Sequence, residues 1–120
     1  MIVDSTALPE QVTRDVVANA FQSAGQRCSA LRVLYIQDDV YDDMLKMIRG
    51  GFEALTIGNP EHLATDVGPV IDMDAKSSLE RHVARRKKGG RPVWRRRLHR
   101  GANAGCYVAP TIIEMDSILD

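Results

Sequence analysis

Short runs of β-branched residues alternating with longer stretches of helical periodicity predict an α/β fold, with strands and helices in three layers around an incomplete sheet. Three observations carry the prediction. Val12, Val16, Val17, Ala20 and Phe21 recur at spacings of four and five, and Val40, Tyr41, Met44, Leu45, Ile48, Phe52 and Leu55 at three or four, which makes two amphipathic helices. Ala30–Ile36 and Cys106–Ile113 have the β-branched density of strands. Glycine and proline punctuate the joins, and no repeat or low-complexity linker divides the chain, so residues 1–120 read as one unit. A domain of this length buries only about two thirds of its unfolded surface, so the loss of one strand would matter.

Ile2-Val3 is a strand stub, too short to hold itself in place. Pro9, with its missing N–H and fixed φ, opens the first helix after Ser5 and Thr6, and Gly25 stops it. The strand Ala30–Ile36 ends at Gln37-Asp38-Asp39, where Asp38 or Asp39 can cap the second helix. Gly50-Gly51 weakens that helix by about 1 kcal/mol per glycine relative to alanine. Residues 56–70 hold Gly58, Pro60, Gly68 and Pro69 and must be a surface loop, after which Asp72 or Asp74 caps a third helix with a thin stripe of Ala75, Leu79 and Val83. Lys87 and Lys88 complement the negative end of that helix before Gly89-Gly90 end it. Arg91-Pro92-Val93-Trp94 is a short edge strand, since Pro92 cannot donate to a ladder, and Cys106–Ile113 is a strand broken by Pro110.

The 44% hydrophobic and 27% charged composition is that of a soluble globular chain, and nowhere do about 18 apolar residues follow one another, so no membrane partner is expected. Two distant cysteines and a start without a basic, apolar leader suit a reducing cytoplasm. The net charge of zero conceals a strong asymmetry. Residues 1–80 carry 6 Lys/Arg against 13 Asp/Glu, residues 81–100 carry 10 against none, and residues 101–120 carry none against 3. Ten cations in that block suffice for non-specific phosphate attraction, but Trp94 is its sole aromatic residue and no recognition motif frames it, so a nucleic-acid or anionic-surface module is the lesser reading.

The candidate for chemistry is Cys28. It sits in Gly25-Gln26-Arg27-Cys28-Ser29-Ala30, a glycine-led loop between helix and strand, the kind of junction at which a rigid scaffold presents a reactive group. The bland alternative is a small packed apolar residue, the usual fate of a free cysteine and the reading given to Cys106. The carbonyl end of the preceding helix disfavours a thiolate there, which Arg27 or a bound cofactor must offset. His62, His82 and His99 are scattered with no partner at ligand spacing, so no metal is expected. Asp38, Asp39, Asp42 and Asp43 lack the glycine and glutamate of a calcium loop and read as helix-capping residues, while Met44 and Met47 read as core filling.

Taken with Asp66-Val67-Gly68-Pro69-Val70-Ile71 and Tyr107-Val108-Ala109-Pro110-Thr111-Ile112-Ile113, the cysteine loop resembles the catalytic domain of the aldehyde dehydrogenase superfamily, over residues 1–90 and 105–117. Ser23–Arg32 is most similar to the dehydrogenase domains of bifunctional bacterial proline-utilisation enzymes. The resemblance implies part of a catalytic domain that oxidises L-glutamate γ-semialdehyde to glutamate with reduction of NAD. By it, Cys28 attacks the aldehyde, hydride passes to the nicotinamide and water hydrolyses the thioester. The Cys28 N–H donates to the oxyanion, and Arg27 and Ser29 lie near the substrate carboxylate. It also implies what is not here. The dinucleotide-binding domain, the glutamate base and the ribose-holding glutamate fall outside residues 1–120, so NAD is expected to serve the complete enzyme without binding this chain tightly, and the chain alone is expected to be inactive.

Residues 91–104 depart from the family pattern. Arg95-Arg96-Arg97-Leu98-His99-Arg100 cannot line a core without a large desolvation cost and is expected in solvent. A local frame change in the coding sequence, restored before Gly105, would produce such a block; the same codons found in frame in a family-like protein would remove that reading. A third class, a non-catalytic remnant, predicts a homo-oligomer joined through unpaired sheet edges.

Overall fold

The computed structural model describes residues 1–98 and 105–117. The described residues form a small mixed α/β structure with three α-helices and two two-stranded sheets. Strand β1 (Ile2–Val3) leads to helix α1 (Pro9–Phe21), strand β2 (Tyr35–Ile36), helix α2 (Tyr41–Ala54), helix α3 (Met73–Lys88), strand β3 (Val93–Arg95) and strand β4 (Thr111–Ile113). β1 and β2 pair in parallel, with Ile2 opposite Tyr35 and Val3 opposite Ile36. β3 and β4 pair antiparallel, Val93 opposite Ile113 and Arg95 opposite Thr111.

The expected three-layer arrangement around one sheet is thus reduced to two short ladders. A strand exists only where a neighbour takes its backbone bonds. Residues 30–34 find Asn19 O for the Leu31 N–H, and the Val33 carbonyl accepts from the Met1 amino group, but no ladder forms before Tyr35. Pro110 likewise confines the last strand to Thr111–Ile113.

One core cluster holds β1 between α1 and α2: Val3, Val12, Val16, Met44 and Ile48 are buried, with Leu34 and Ile36 packed against them. A second joins the end of α2 to the following loop through Phe52, Leu55, Ile57 and Val67, and the Phe21 and Phe52 rings meet at 5.4 Å between centroids. The two helices approach closely at Gly51, where a Cβ would lie 3.1 Å from Thr13 Cγ2 and 3.2 Å from Val17 Cγ2. The glycine therefore costs α2 helical propensity but admits α1. Gly50, its neighbour, meets nothing within 4 Å.

The caps differ in part from expectation. Asp72 caps α3, its carboxylate accepting from Ala75 N at 2.7 Å. Asp38 and Asp39 instead form a 3-10 turn, Asp38–Val40, that leads into α2 without a side-chain cap. The arginine-rich segment is also not simply solvated. Arg95 pairs with Glu80 of α3, and Arg91 pairs with Asp116. The partly buried Arg96 donates from Nη2 to Leu55 O, the C-terminal cap of α2, at 3.1 Å. Placing the guanidinium at the negative end of a helix dipole offsets part of the desolvation cost, while Arg96 Nε stays buried without a partner among the described residues. The Arg49 guanidinium stacks 4.7 Å from the Trp94 ring centroid. His99 and Arg100 lie outside the described residues.

Candidate active site

The loop that carries Cys28 starts from an unusual reversal. After Phe21 the chain makes a 3-10 turn, Gln22–Gly25, in which Ser23, Ala24 and Gly25 have φ of 54°, 52° and 68°. Left-handed backbone costs an L-residue about 1–2 kcal/mol, so two non-glycine residues in a row must be held by their surroundings. Only glycine fits the third position, since a Cβ there would lie 2.9 Å from Ala20 O.

The reversal directs the chain into a turn closed by Ala30 N donating to Arg27 O at 3.1 Å, with Cys28 and Ser29 as its two exposed corner residues. A thiol on a turn corner is open to a reagent, and the closing bond leaves the Cys28 and Ser29 amides outside it. Cys106 is half-buried in the approach to β4, and both cysteines are free.

Arg27 does not extend toward the open side. Its Nη2 donates to Ala18 O in the last turn of α1 at 3.1 Å, and its Nε is buried without a partner among the described residues. The charge sits on the carbonyl end of α1, where it offsets the partial negative charge that the loop otherwise meets. Ser29 stays exposed beside the thiol.

Sequence reasoning passed over Gln26. Its Nε2 donates to Ser23 O at 3.0 Å and to Pro69 O at 3.3 Å, while its Oε1 accepts from Ile71 N at 2.7 Å. The loop is thereby joined to the Gly-Pro segment 40 and more residues away in sequence. That segment is itself anchored: Val67 pairs with Ile57, and Val70 N donates to Cys106 O at 2.8 Å. Tyr107 Oη reaches Gly58 O at 3.2 Å. The three sequence segments singled out above are therefore brought together. The only forward signal for Gln26 was its place inside the motif, since an exposed glutamine carries no pattern of its own. An open groove beside the loop is lined by Ser23, Gln26, Thr65, Asp66 and Pro69, and Cys28 is not among its lining residues.

The chain matches the aldehyde dehydrogenase family over residues 1–117. The chain belongs to the aldehyde dehydrogenase family. It is 51% identical over 125 aligned positions to the bifunctional protein PutA of Escherichia coli, covering 100% of this chain and 10% of that protein. A 1-pyrroline-5-carboxylate dehydrogenase of Anoxybacillus flavithermus is 35% identical over 91 residues, 76% of this chain and 18% of the relative. A crystal structure of bifunctional proline utilization A superposes with a TM-score of 0.88 at 47% identity, over 97% of this chain and 12% of that one. The chain thus spans about a tenth of the length of the PutA relatives it matches.

The described residues do not suit a dinucleotide. Helix N-termini hold pyrophosphate through free N–H groups and a positive dipole end. Here α1 opens on Pro9 and Glu10, the turn before α2 carries Asp38 and Asp39 with Asp42 and Asp43 following, and α3 opens on the capping Asp72 with Asp74 in its first turn. Each helix start thus carries acidic side chains that disfavour a phosphate, and at α3 the Asp72 carboxylate already accepts from Ala75 N. Among the described residues no group of three His, Cys, Asp or Glu side chains is arranged to hold a metal ion, and no helix is long and apolar enough to cross a membrane.

Proposed function

We propose that this chain carries the nucleophile of an aldehyde dehydrogenase that oxidises L-glutamate γ-semialdehyde, the open-chain form of 1-pyrroline-5-carboxylate, to glutamate. The supporting observation is the exposed Cys28 thiol at a turn corner, in a family member similar over its whole length to PutA. The Cys28 thiolate forms a C–S bond to the aldehyde carbon, and the carbonyl electron pair moves onto oxygen. The Cys28 N–H, outside the closing bond of the turn, donates to that oxyanion. Arg27 counters the carbonyl end of α1 from behind, and Ser29, exposed next to Cys28, supplies a hydroxyl for the substrate. Sulfur serves the second half as well, because a thiolate leaves readily when water attacks the acyl carbon.

The oxidation between these halves needs a hydride acceptor, which NAD supplies in this reading. The helix starts among the described residues, each bearing carboxylates, do not suit it. The chain by itself should give no sustained NADH formation with NAD and the semialdehyde, read at the nicotinamide absorbance. The decisive experiment replaces the matching segment of the E. coli relative with residues 1–117. Semialdehyde oxidation should survive the exchange and fall by at least about a thousandfold on Cys28→Ala. Turnover that persists in the Cys28→Ala hybrid would refute the assignment of the nucleophile.

A further inference from the structure

We infer that Gln26 is a positioning residue that fixes the thiol-bearing turn by strapping it to the Pro69–Ile71 backbone. This deepens the reading of Cys28 as nucleophile and rests on it. Each polar atom of the Gln26 amide is used. Nε2 donates to Ser23 O within the left-handed reversal and to Pro69 O across the gap, and Oε1 accepts the Ile71 N–H. The amide thus ties the reversal on one side of Cys28 to a segment fixed in turn through Val70 to Cys106 O. A residue that only filled space would need no such matched set of one acceptor and two donor bonds. The next residue acts in the same sense, since Arg27 anchors the loop to Ala18 O. The thiol follows directly after two side chains that both point back into the scaffold, which leaves Cys28 and Ser29 as the exposed pair.

The chemistry separates the bonds. Gln26→Glu retains an acceptor for Ile71 N–H but offers no donor to the two carbonyls and places a negative charge against them. Gln26→Ala removes all three bonds. The test uses the full chain and two readouts. The first is hydrogen exchange at the Ile71 amide, with the Ile48 amide of α2 as internal reference. The second is the pH profile of carbamidomethylation at Cys28 by iodoacetamide, resolved from Cys106 by mass spectrometry. In Gln26→Ala, Ile71 exchange should rise about tenfold or more while Ile48 is unchanged, as expected for loss of a local bond without global unfolding. In Gln26→Glu, Ile71 stays largely protected; in Gln26→Ala, which adds no charge, the Cys28 profile moves and that of Cys106 does not. An unmoved Cys28 profile in Gln26→Ala would mark a purely structural role and would overturn the inference. So would an Ile71 amide that exchanges equally fast with and without the Gln26 side chain. Should Gln26→Ala fail to fold, Gln26→Met, of similar length and uncharged, supplies the same two readouts. Neither readout involves an aldehyde, so a protected Ile71 and a shifted profile in a chain whose hybrid needs no Cys28 would strike the proposed reaction and leave the strap standing.

Discussion

At Ala24 a methyl-bearing residue sits at φ 52°, a region that glycine enters freely. Ala24→Gly should therefore stabilise the chain by up to about 1 kcal/mol, the relief of left-handed backbone outweighing the added freedom of the unfolded state. Ala24→Val should do the reverse, because a β-branched side chain is worse still there. Denaturant midpoints of the two variants check the order, and a stabilising valine would remove the strain argument. The exposed turn that carries Cys28 was legible in the sequence because Gly25 ends the helix just before it. The direction of Arg27 was not, since a long flexible side chain can reach substrate or helix end equally, and only the position of the Ala18 carbonyl decides. Gln26 was hidden for a related reason: its partners are backbone atoms at Pro69 and Ile71, which no side-chain pattern announces.

The helices carry the next set of consequences. Both α1 and α2 lack a basic residue in their own last turns, and each takes an arginine from elsewhere, Arg27 at Ala18 O and Arg96 at Leu55 O. This is why part of the basic block is drawn inward, against the expectation of a solvated face. In α2, Gly50→Ala should raise stability by about 0.5–1 kcal/mol, since the added Cβ meets open space and the helix gains propensity. Gly51→Ala should gain less or lose, because Thr13 and Val17 must give way. Thermal melts of the pair check this, and equal gains would mean that α1 and α2 do not meet at Gly51. At the start of α2, burial first and the nearby Glu114 carboxylate second hold Tyr41 protonated, pushing its pKa from 10 to about 12. The folded state then keeps a proton that the unfolded state releases, so stability present below pH 10 declines between about 10 and 12. Alkaline unfolding of Tyr41→Phe should lose that slope. The helices themselves were readable from periodicity, whereas strand lengths were not: a β-branched run becomes a strand only where a partner lies alongside, and that partner is a distant segment.

Across the whole molecule, the β1–β2 ladder is covered on one side only. Val3 and Ile36 face α1 and α2, while Ile2 is 81% and Tyr35 45% exposed, with Val33 nearby also exposed. Parallel strands are ordinarily buried on both faces, and a bare apolar ladder favours pairing with another chain. The purified chain should therefore self-associate as its concentration rises, and Ile2→Lys with Tyr35→Lys should shift it toward monomer. Sedimentation across a concentration series checks this, and an unchanged monomer at every concentration would end the idea. The α/β class was evident from alternation, but the split into two small sheets followed from contacts between segments far apart in sequence. Those contacts have a temporal consequence. The Gln26 strap spans 43 and 45 residues, the Tyr107 hydroxyl reaches back 49, and Arg96 reaches back 41. Distant closures of this kind come slowly and late. When translation has reached only residue 60 the sulfur of Cys28 is already made, while the Pro69 and Ile71 atoms that will steady its corner are still unread message; the thiol is chemically available well before it is geometrically useful.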